Sequence, residues 1–261
     1  KRIESNNSNP FQLFDFISQD ENDELIDFYN NTDKEIKPTG PTVVRPELDL
    51  PVFKTVFDRV KETIGDVKLD AALIFNTPWA HVIHNDDDVK GSSKPYKAFT
   101  IPLKLWGTAK DTDIKLMMFD QYYYHGGKKF YNGGPAPSKV ANNPPLLEYS
   151  DVSYTNDNGI STEIKQKFLT HLQDNWLEGL SIHSYFPWKI NSAIIFDSTR
   201  LHSSSDFNAL DVDKKMALSI FTYLPWTKIS IFMIDYKTQD KNGNPLNVID
   251  SSPLPGYINP R

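Results

Sequence analysis

The apolar residues of this chain follow one spacing near the amino terminus and another spacing further along. Between residues 18 and 65 they recur every three to four positions, which predicts amphipathic helices. A capping-box sequence from Ser18 to Glu21 predicts the start of the first helix, which we expect to end near Asn31. A second helix is predicted over residues 51–64, with a proline in its first turn and a glycine after its end.

From residue 69 onward the pattern changes to short apolar runs separated by polar or glycine-bearing segments, which predicts strands. The predicted strands cover residues 71–75, 98–106, 114–124, 180–186, 193–197, 216–224 and 229–236, with a further edge strand over residues 11–17. Residues 162–176 are the one helical pattern in this part, and Asn242-Gly243 indicates a hairpin turn. Residues 37–51 and 126–145 are predicted to be an extended connection and a long loop.

Helices followed by many short strands predict a mainly β fold, a double-stranded β-helix (jelly roll, cupin-like) with N-terminal supporting helices. We expect residues 1–261 to form one domain. It would comprise a helical buttress over about 18–65, a jelly-roll core over about 69–236, and a C-terminal hairpin and tail over 237–261.

The composition of the chain limits its expected partners, its expected location and the residues that could bind a metal. With 39% hydrophobic and 24% charged residues the chain can form a globular core, and a net charge of −6 does not favour nucleic acid or an anionic membrane as a partner. No apolar run approaches 18 residues and the polar residues 1–10 lack a signal-peptide pattern, so a cytoplasmic protein is expected. The chain has no cysteine, so histidine and carboxylate must supply any metal ligands.

Two distant stretches supply such ligands. His202 follows the apolar run 193–196 and a polar turn, and His84 and Asp86 lie two positions apart far upstream. Residues at positions i and i+2 of a strand share a face, so His84 and Asp86 could bind one ion, with His202 as the third ligand. Two imidazoles and one carboxylate are the facial ligand set of non-haem Fe(II) oxygenases, which leaves three coordination positions open.

Other histidines compete for this role. His81 is a rival ligand, but on a strand its side chain would face away from that of His84. His125 is a further candidate, whereas His171 and His183 lack a second ligand nearby in the sequence. The pattern His-X-Asp is short, and it also fits a surface histidine before a solvated acidic turn.

Lys215 is a candidate anion-binding residue. With a period of two, Lys215, Ala217 and Ser219 share one face of a predicted strand, and Met216 and Leu218 face the other way. A buried ammonium needs a partner, so Lys215 either points to solvent or binds an anion.

In this order, His84-Asn85-Asp86, Phe196-Asp197, His202 and Lys215 resemble the signature of the Fe(II)/2-oxoglutarate-dependent oxygenases, in the prolyl-hydroxylase-like branch. The resemblance extends over roughly residues 10–236. It implies that His84, Asp86 and His202 are catalytic and bind Fe(II), and that Lys215 with Ser219 binds 2-oxoglutarate. It also implies hydroxylation of a substrate by O2, with release of succinate and CO2.

The sequence leaves several points open. Many members of that family have arginine where this chain has Lys215, and a lysine needs a second hydrogen-bond donor, either serine or tyrosine, beside it. Lys97 and Lys104 are rival co-substrate anchors. The tyrosine-rich residues 121–125 are either part of a substrate lid or sheet packing, and nothing selects the primary substrate. A cupin-like metal enzyme without 2-oxoglutarate and a non-catalytic jelly-roll binding module are the alternatives.

Overall fold

The computed structural model describes residues 9–36, 41–86, 95–122, 160–177, 180–198, 200–224, 238–239 and 245–246. Within these ranges the protein is mainly β and its sheets are antiparallel. The predicted loop 126–145, the strand 229–236, the turn at Asn242-Gly243 and most of the C-terminal tail lie outside the described residues. No helix in the described ranges is both long enough and apolar enough to cross a membrane.

Ten strands belong to two main sheets, and two more form a small separate pair. The strands are β1 (Phe11–Leu13), β2 (Glu35–Ile36), β3 (Thr42–Val44), β4 (Lys68–Thr77), β5 (Pro95–Gly107), β6 (Lys115–Tyr122), β7 (Ile182–Pro187), β8 (Ala193–Asp197), β9 (Arg200–Ser204), β10 (Val212–Tyr223), β11 (Thr238–Gln239) and β12 (Pro245–Leu246). The helices are α1 (Gln19–Asn31), α2 (Pro51–Ile64), α3 (Thr162–Phe168) and α4 (Asp174–Leu177).

The larger sheet has the strand order β1-β8-β5-β10-β4-β3-β2, and the smaller sheet has the order β7-β6-β9. Strands β5 and β10 lie at the centre of the larger sheet and are its longest members, with 13 and 12 residues. Strand β8 pairs with β5 in the larger sheet, whereas β9 begins at Arg200 and pairs with β6 in the smaller one. The chain therefore passes from one sheet to the other immediately before His202.

Helices α1 and α2 cover one face of the larger sheet. The α1 capping box is present, since the Ser18 hydroxyl accepts a hydrogen bond from the Glu21 N–H and the Ser18 N–H donates to the Glu21 carboxylate. Pro51 occupies the first turn of α2. The apolar sides of both helices pack with alternate residues of β4, β5, β8 and β10 in the largest core cluster.

The structure corrects three features of the predicted element map. Residues 162–176 form two short helices, α3 and α4, instead of one. Strand β3 lies within the proposed extended connection 37–51, and strand β2 ends just before it. The predicted polar turn before His202 is confined to the residues before Arg200, because residues 200–204 form strand β9. Strand propensity does not predict the serines of β9. Ser203 and Ser204 are accommodated there because their hydroxyls donate to backbone carbonyls inside the fold.

Candidate metal centre

His84 and Asp86 lie in the segment that follows β4. The sequence predicted that a regular strand presents both side chains, and this is wrong, because the two residues belong to no strand. His84 forms an isolated antiparallel bridge with His202, in which each backbone N–H donates to the other residue's carbonyl at 3.0 and 2.9 Å. The Asp86 N–H donates to the Ser198 carbonyl at 2.7 Å. Three backbone hydrogen bonds thus bring both residues to the start of β9.

His202 lies within β9 and is buried, with 3% of its surface exposed. Its neighbours Leu201 and Ser203 are also buried, so both faces of this strand are covered. The imidazole ring of His202 packs between Phe196 and His84, with ring centroids 4.6 and 4.2 Å away. The position of this imidazole is therefore set by strand pairing and by ring packing together.

The side chains of His84, Asp86 and His202 converge on one point. Their potential ligand atoms all lie within 4.8 Å of one another, and no other histidine, aspartate or glutamate in the described ranges joins this group. The Asp86 carboxylate oxygens are 3.8 Å from Nε2 of His84 and 3.5 Å from Nε2 of His202. Two ligands bonded at about 2.1 Å to one ion can be at most roughly 4.2 Å apart, so both measured separations fit a shared ion.

Hydrogen bonding fixes the orientation of both imidazoles. Nδ1 of His84 lies 2.7 Å from the Val82 carbonyl, and Nδ1 of His202 lies 3.0 Å from the Arg200 carbonyl. A carbonyl only accepts, so each Nδ1 carries the proton and each Nε2 presents a lone pair toward Asp86. Donation of the other ring N–H to a backbone carbonyl is the usual arrangement of metal-binding histidines.

Burial also shifts the protonation equilibria of the three groups. Burial, together with the nearby His202, lowers the pKa of His84 to about 4. Burial likewise lowers the pKa of His202 to about 4. Burial raises the pKa of Asp86 to about 6, against the influence of His84. Both imidazoles are consequently neutral at pH 7 and available as ligands.

A cavity of about 220 Å³ adjoins this group, and a buried lysine lies on its wall. Lys215 is 1% exposed, its Nζ donates to the Ser204 hydroxyl at 2.6 Å, and it lies 3.6 Å from the centre of the Trp188 ring. Burial lowers the pKa of Lys215 well below its ordinary value. Because Lys215 is buried, the solvent-exposed alternative is excluded, and no carboxylate in the described part of the chain forms an ion pair with it.

The structure brings most of the polar residues singled out from the sequence into this cavity. Its polar lining consists of His81, His84, Asp86, Thr100, His202, Ser204, Lys215 and Ser219. Ser219 is 8% exposed and lies on the cavity side of β10 with Lys215, as the two-residue period predicts. The residues between them, Met216 and Leu218, belong to the apolar core cluster on the other face.

The position of His81 differs from the prediction. We expected its side chain to face away from His84, but it lines the same cavity and packs edge-on against the His84 ring, with centroids 5.7 Å apart. The reason is that residues 81–84 are not a strand, so alternation does not apply. His171 and His183 lie outside the ligand group, in agreement with their sequence context, and His125 lies outside the described residues.

The rival lysines have other contacts. Lys97 forms a buried ion pair with Asp197, and Lys104 lies 5.1 Å from the centre of the Trp106 ring. Neither residue lines the cavity. Ser204 and Trp188, which contact Lys215, escaped the sequence reasoning. Ser204 could have been found from its position two residues after His202 on a strand, whereas Trp188 carries no such signal.

No protein-family model matches the sequence, and no curated protein matches it. Solved structures do match the fold. HygX from Streptomyces hygroscopicus with nickel and 2-oxoglutarate bound has a TM-score of 0.47 and 11% identity, over 94% of each chain. A Pseudomonas putida prolyl-4-hydroxylase has a TM-score of 0.43 and 9% identity, over 83% of this chain and 93% of that one. The non-haem α-ketoglutarate-dependent carbocyclase SnoK has a TM-score of 0.47 and 11% identity, over 91% and 88%.

By their own descriptions, one of these structures is an α-ketoglutarate-dependent carbocyclase, one is a prolyl-4-hydroxylase, and HygX has nickel and 2-oxoglutarate bound. With identities of 9–11% and TM-scores below 0.5, they carry neither residue roles nor activity across to this chain. The proposal below therefore depends on the residues of this protein.

Proposed function

We propose that this protein is an Fe(II)- and 2-oxoglutarate-dependent dioxygenase that hydroxylates a substrate, built as a single-domain double-stranded β-helix. The observation that carries the proposal is the convergence of His84, Asp86 and His202 on the wall of the cavity that holds the buried Lys215. Two antiparallel sheets backed by helices support the fold assignment.

The donor set fits Fe(II). Two neutral imidazoles with Nε2 directed inward and one carboxylate, all from one side, leave room for further ligands on the cavity side. A structural zinc site would need a fourth protein ligand, and none of the described acidic or histidine side chains supplies one. His84, Asp86 and His202 would hold the ion.

A dicarboxylate bound in this cavity would extend from the metal to Lys215, since both lie on the cavity wall. The Lys215 ammonium would be the charged donor to a terminal carboxylate, and the Ser204 hydroxyl 2.6 Å away would turn its proton from the Ser205 carbonyl to the same carboxylate. Ser219 and Thr100 are further hydroxyl donors on the same wall. Ser204 would then be the second donor that Lys215 needs, since a point charge requires an additional hydrogen bond to orient a planar carboxylate.

A bound Fe(II) supplies activation of O2, with 2-oxoglutarate oxidised to succinate and CO2 while one C–H bond of the substrate becomes C–OH. The protein holds and orients the reactants for this chemistry. His202 and His84 present fixed lone pairs, Lys215 and Ser204 orient the co-substrate, and the aromatic wall that includes Trp188 and Phe75 limits access of water.

The test is succinate release from 2-oxoglutarate in the purified protein, measured with and without Fe(II) and O2. We expect release that requires both and that disappears in His202→Ala. His183→Ala is the matched control, because His183 lies outside the ligand group, and it should leave release unchanged. Undiminished turnover in His202→Ala would contradict the proposal.

A further inference from the structure

A buried ion pair lies beside the candidate metal centre without taking part in it. Lys97 of β5 and Asp197 of β8 are directly opposite each other in the sheet, and their side chains form an ion pair. These side chains are only 5% and 2% exposed. Thr222 of the neighbouring strand β10 holds the Lys97 backbone from the other side, with hydrogen bonds of 2.9 and 3.2 Å.

Backbone hydrogen bonds lead from this pair to Asp86. Ser198, next to Asp197, donates its N–H at 3.2 Å to the carbonyl of Tyr96, which is next to Lys97. The Ser198 carbonyl in turn accepts the Asp86 N–H at 2.7 Å. The Lys97–Asp197 ion pair therefore joins β5 to β8 at the end of β8. The next residue, Ser198, holds the backbone of Asp86 there.

Stability alone does not account for this pair. Removing two charges from water costs several kcal/mol per ion, and well-packed apolar residues of similar volume are often neutral or stabilising replacements by roughly 1–4 kcal/mol. Asp197 remains incompletely compensated, because its Oδ2 is buried and has no hydrogen-bond partner among the described residues. Burial raises the pKa of Asp197 to about 6 in spite of Lys97.

We propose that the Lys97–Asp197 pair is a positioning element, which fixes the end of β8 so that Ser198 places the Asp86 carboxylate for metal binding. This inference rests on the proposed function, since it assigns a role toward the ion that His84, Asp86 and His202 would hold. The geometric basis is the hydrogen-bond path through Ser198, and neither Lys97 nor Asp197 touches the ion site itself.

The experiment measures Co(II) binding by the purified protein in the absence of O2 and 2-oxoglutarate, with Co(II) as the probe in place of Fe(II). The principal variant is Lys97→Met with Asp197→Leu, which replaces the pair by apolar side chains. We expect it to stay folded and to bind Co(II) about 10- to 100-fold more weakly, with an altered visible spectrum of the bound ion, as is typical when a ligand-orienting partner is lost. Asp197→Asn, of nearly the same volume, should weaken binding by a smaller factor.

The matched control is the Arg59–Glu21 ion pair, which joins α2 to α1. Its nitrogen and oxygen atoms are 2.8 Å apart, it is partly buried, and it does not line the cavity. Arg59→Met with Glu21→Gln removes that pair and should leave the Co(II) dissociation constant within about twofold of the original, because neither residue lines the cavity. If the Lys97–Asp197 pair only stabilised the fold, its replacement would leave the Co(II) dissociation constant unchanged, as the replacement of Arg59–Glu21 should.

The outcomes separate the two proposals. Equal Co(II) affinity in the unaltered protein and the Lys97→Met/Asp197→Leu variant overturns this inference and leaves the proposed function intact. If the apolar variant does not fold, Asp197→Asn decides in the same way. Failure of the unaltered protein to bind Co(II), or a Co(II) affinity in His202→Ala within a few fold of the original, overturns the proposed function and this inference together.

Discussion

The two faces of β10 are both buried, but one carries apolar side chains and the other carries polar side chains. On one face Met216, Leu218 and Ile220 are at most 1% exposed and pack under the helices. On the other face Lys215 and Ser219 are 1% and 8% exposed and line the cavity. Burial of the first face stabilises the fold, whereas burial of an ammonium without a carboxylate destabilises it. The difference between the two faces is what the proposed co-substrate site requires, since a bound anion would offset the cost of the buried ammonium.

The largest expected effect concerns the metal ligand beside this face. His202→Ala removes one of three ligand atoms, so metal binding should weaken by at least about 100-fold, beyond the loss typical for a partner that only orients a ligand. Isothermal titration with Co(II) measures this effect. Affinity within a few fold of the original protein would contradict the ligand assignment.

Lys215→Met should separate binding from stability. Loss of the ammonium should weaken 2-oxoglutarate binding by about 2–5 kcal/mol, because a buried charge partner is removed. The free energy of unfolding without ligand should stay equal or rise, since an unpaired buried charge disappears. Anaerobic titration of the metal-loaded protein and urea unfolding give the two values. Intact 2-oxoglutarate affinity would show that Lys215 does not hold the co-substrate, whereas intact activity with no 2-oxoglutarate binding would favour a metal enzyme that does not use it.

Leu218→Ala tests the opposite face and should show the reverse behaviour. A cavity in the main core should lower the free energy of unfolding by about 2–5 kcal/mol, measured in urea. Co(II) and 2-oxoglutarate dissociation constants of the folded protein should remain within about twofold, because Leu218 contacts the helix side of the sheet. A large change in either constant would show that the two faces are not independent.

The smallest expected effect is that of Ser204→Ala. Loss of one hydroxyl that assists Lys215 should weaken 2-oxoglutarate binding by about 0.5–1.5 kcal/mol, or roughly 2- to 13-fold. Ser219→Ala is the matched comparison at the site predicted from sequence, and we expect a weaker effect because Ser219 forms no hydrogen bond with Lys215. A larger effect of Ser219→Ala than of Ser204→Ala would reassign the supporting hydroxyl.

The sequence predicted the features of this molecule that depend on local pattern. The capping box at Ser18, the proline at the start of α2 and the alternation on β10 each reflect contacts within one element, so neighbouring residues contain the information. The convergence of His84 and His202 is of another kind, because only their ligand chemistry and the motif resemblance connected these distant segments. Their ligand roles stay predictions until metal binding is measured.

What the sequence did not show depends on departures from regular structure or on distant packing. The orientation of His81 could not be predicted because its segment leaves the strand geometry on which alternation depends. The partner of Lys215 could not be chosen among many serines and tyrosines, since it is determined by how β9 and β10 face each other across the cavity. Lys97 was a rival anchor because its ion pair with Asp197 is apparent only in three dimensions.

The reciprocal bridge between His84 and His202 has a consequence for the metal-free protein. Two mutual backbone bonds tie these residues together whether or not an ion is present, so folding itself sets the spacing of the two rings. Little further loss of conformational entropy is then required of them on metal capture. Both imidazoles are thus held at a fixed spacing beside the Asp86 carboxylate before any ion arrives, which is the preorganisation that the proposed metal site would need.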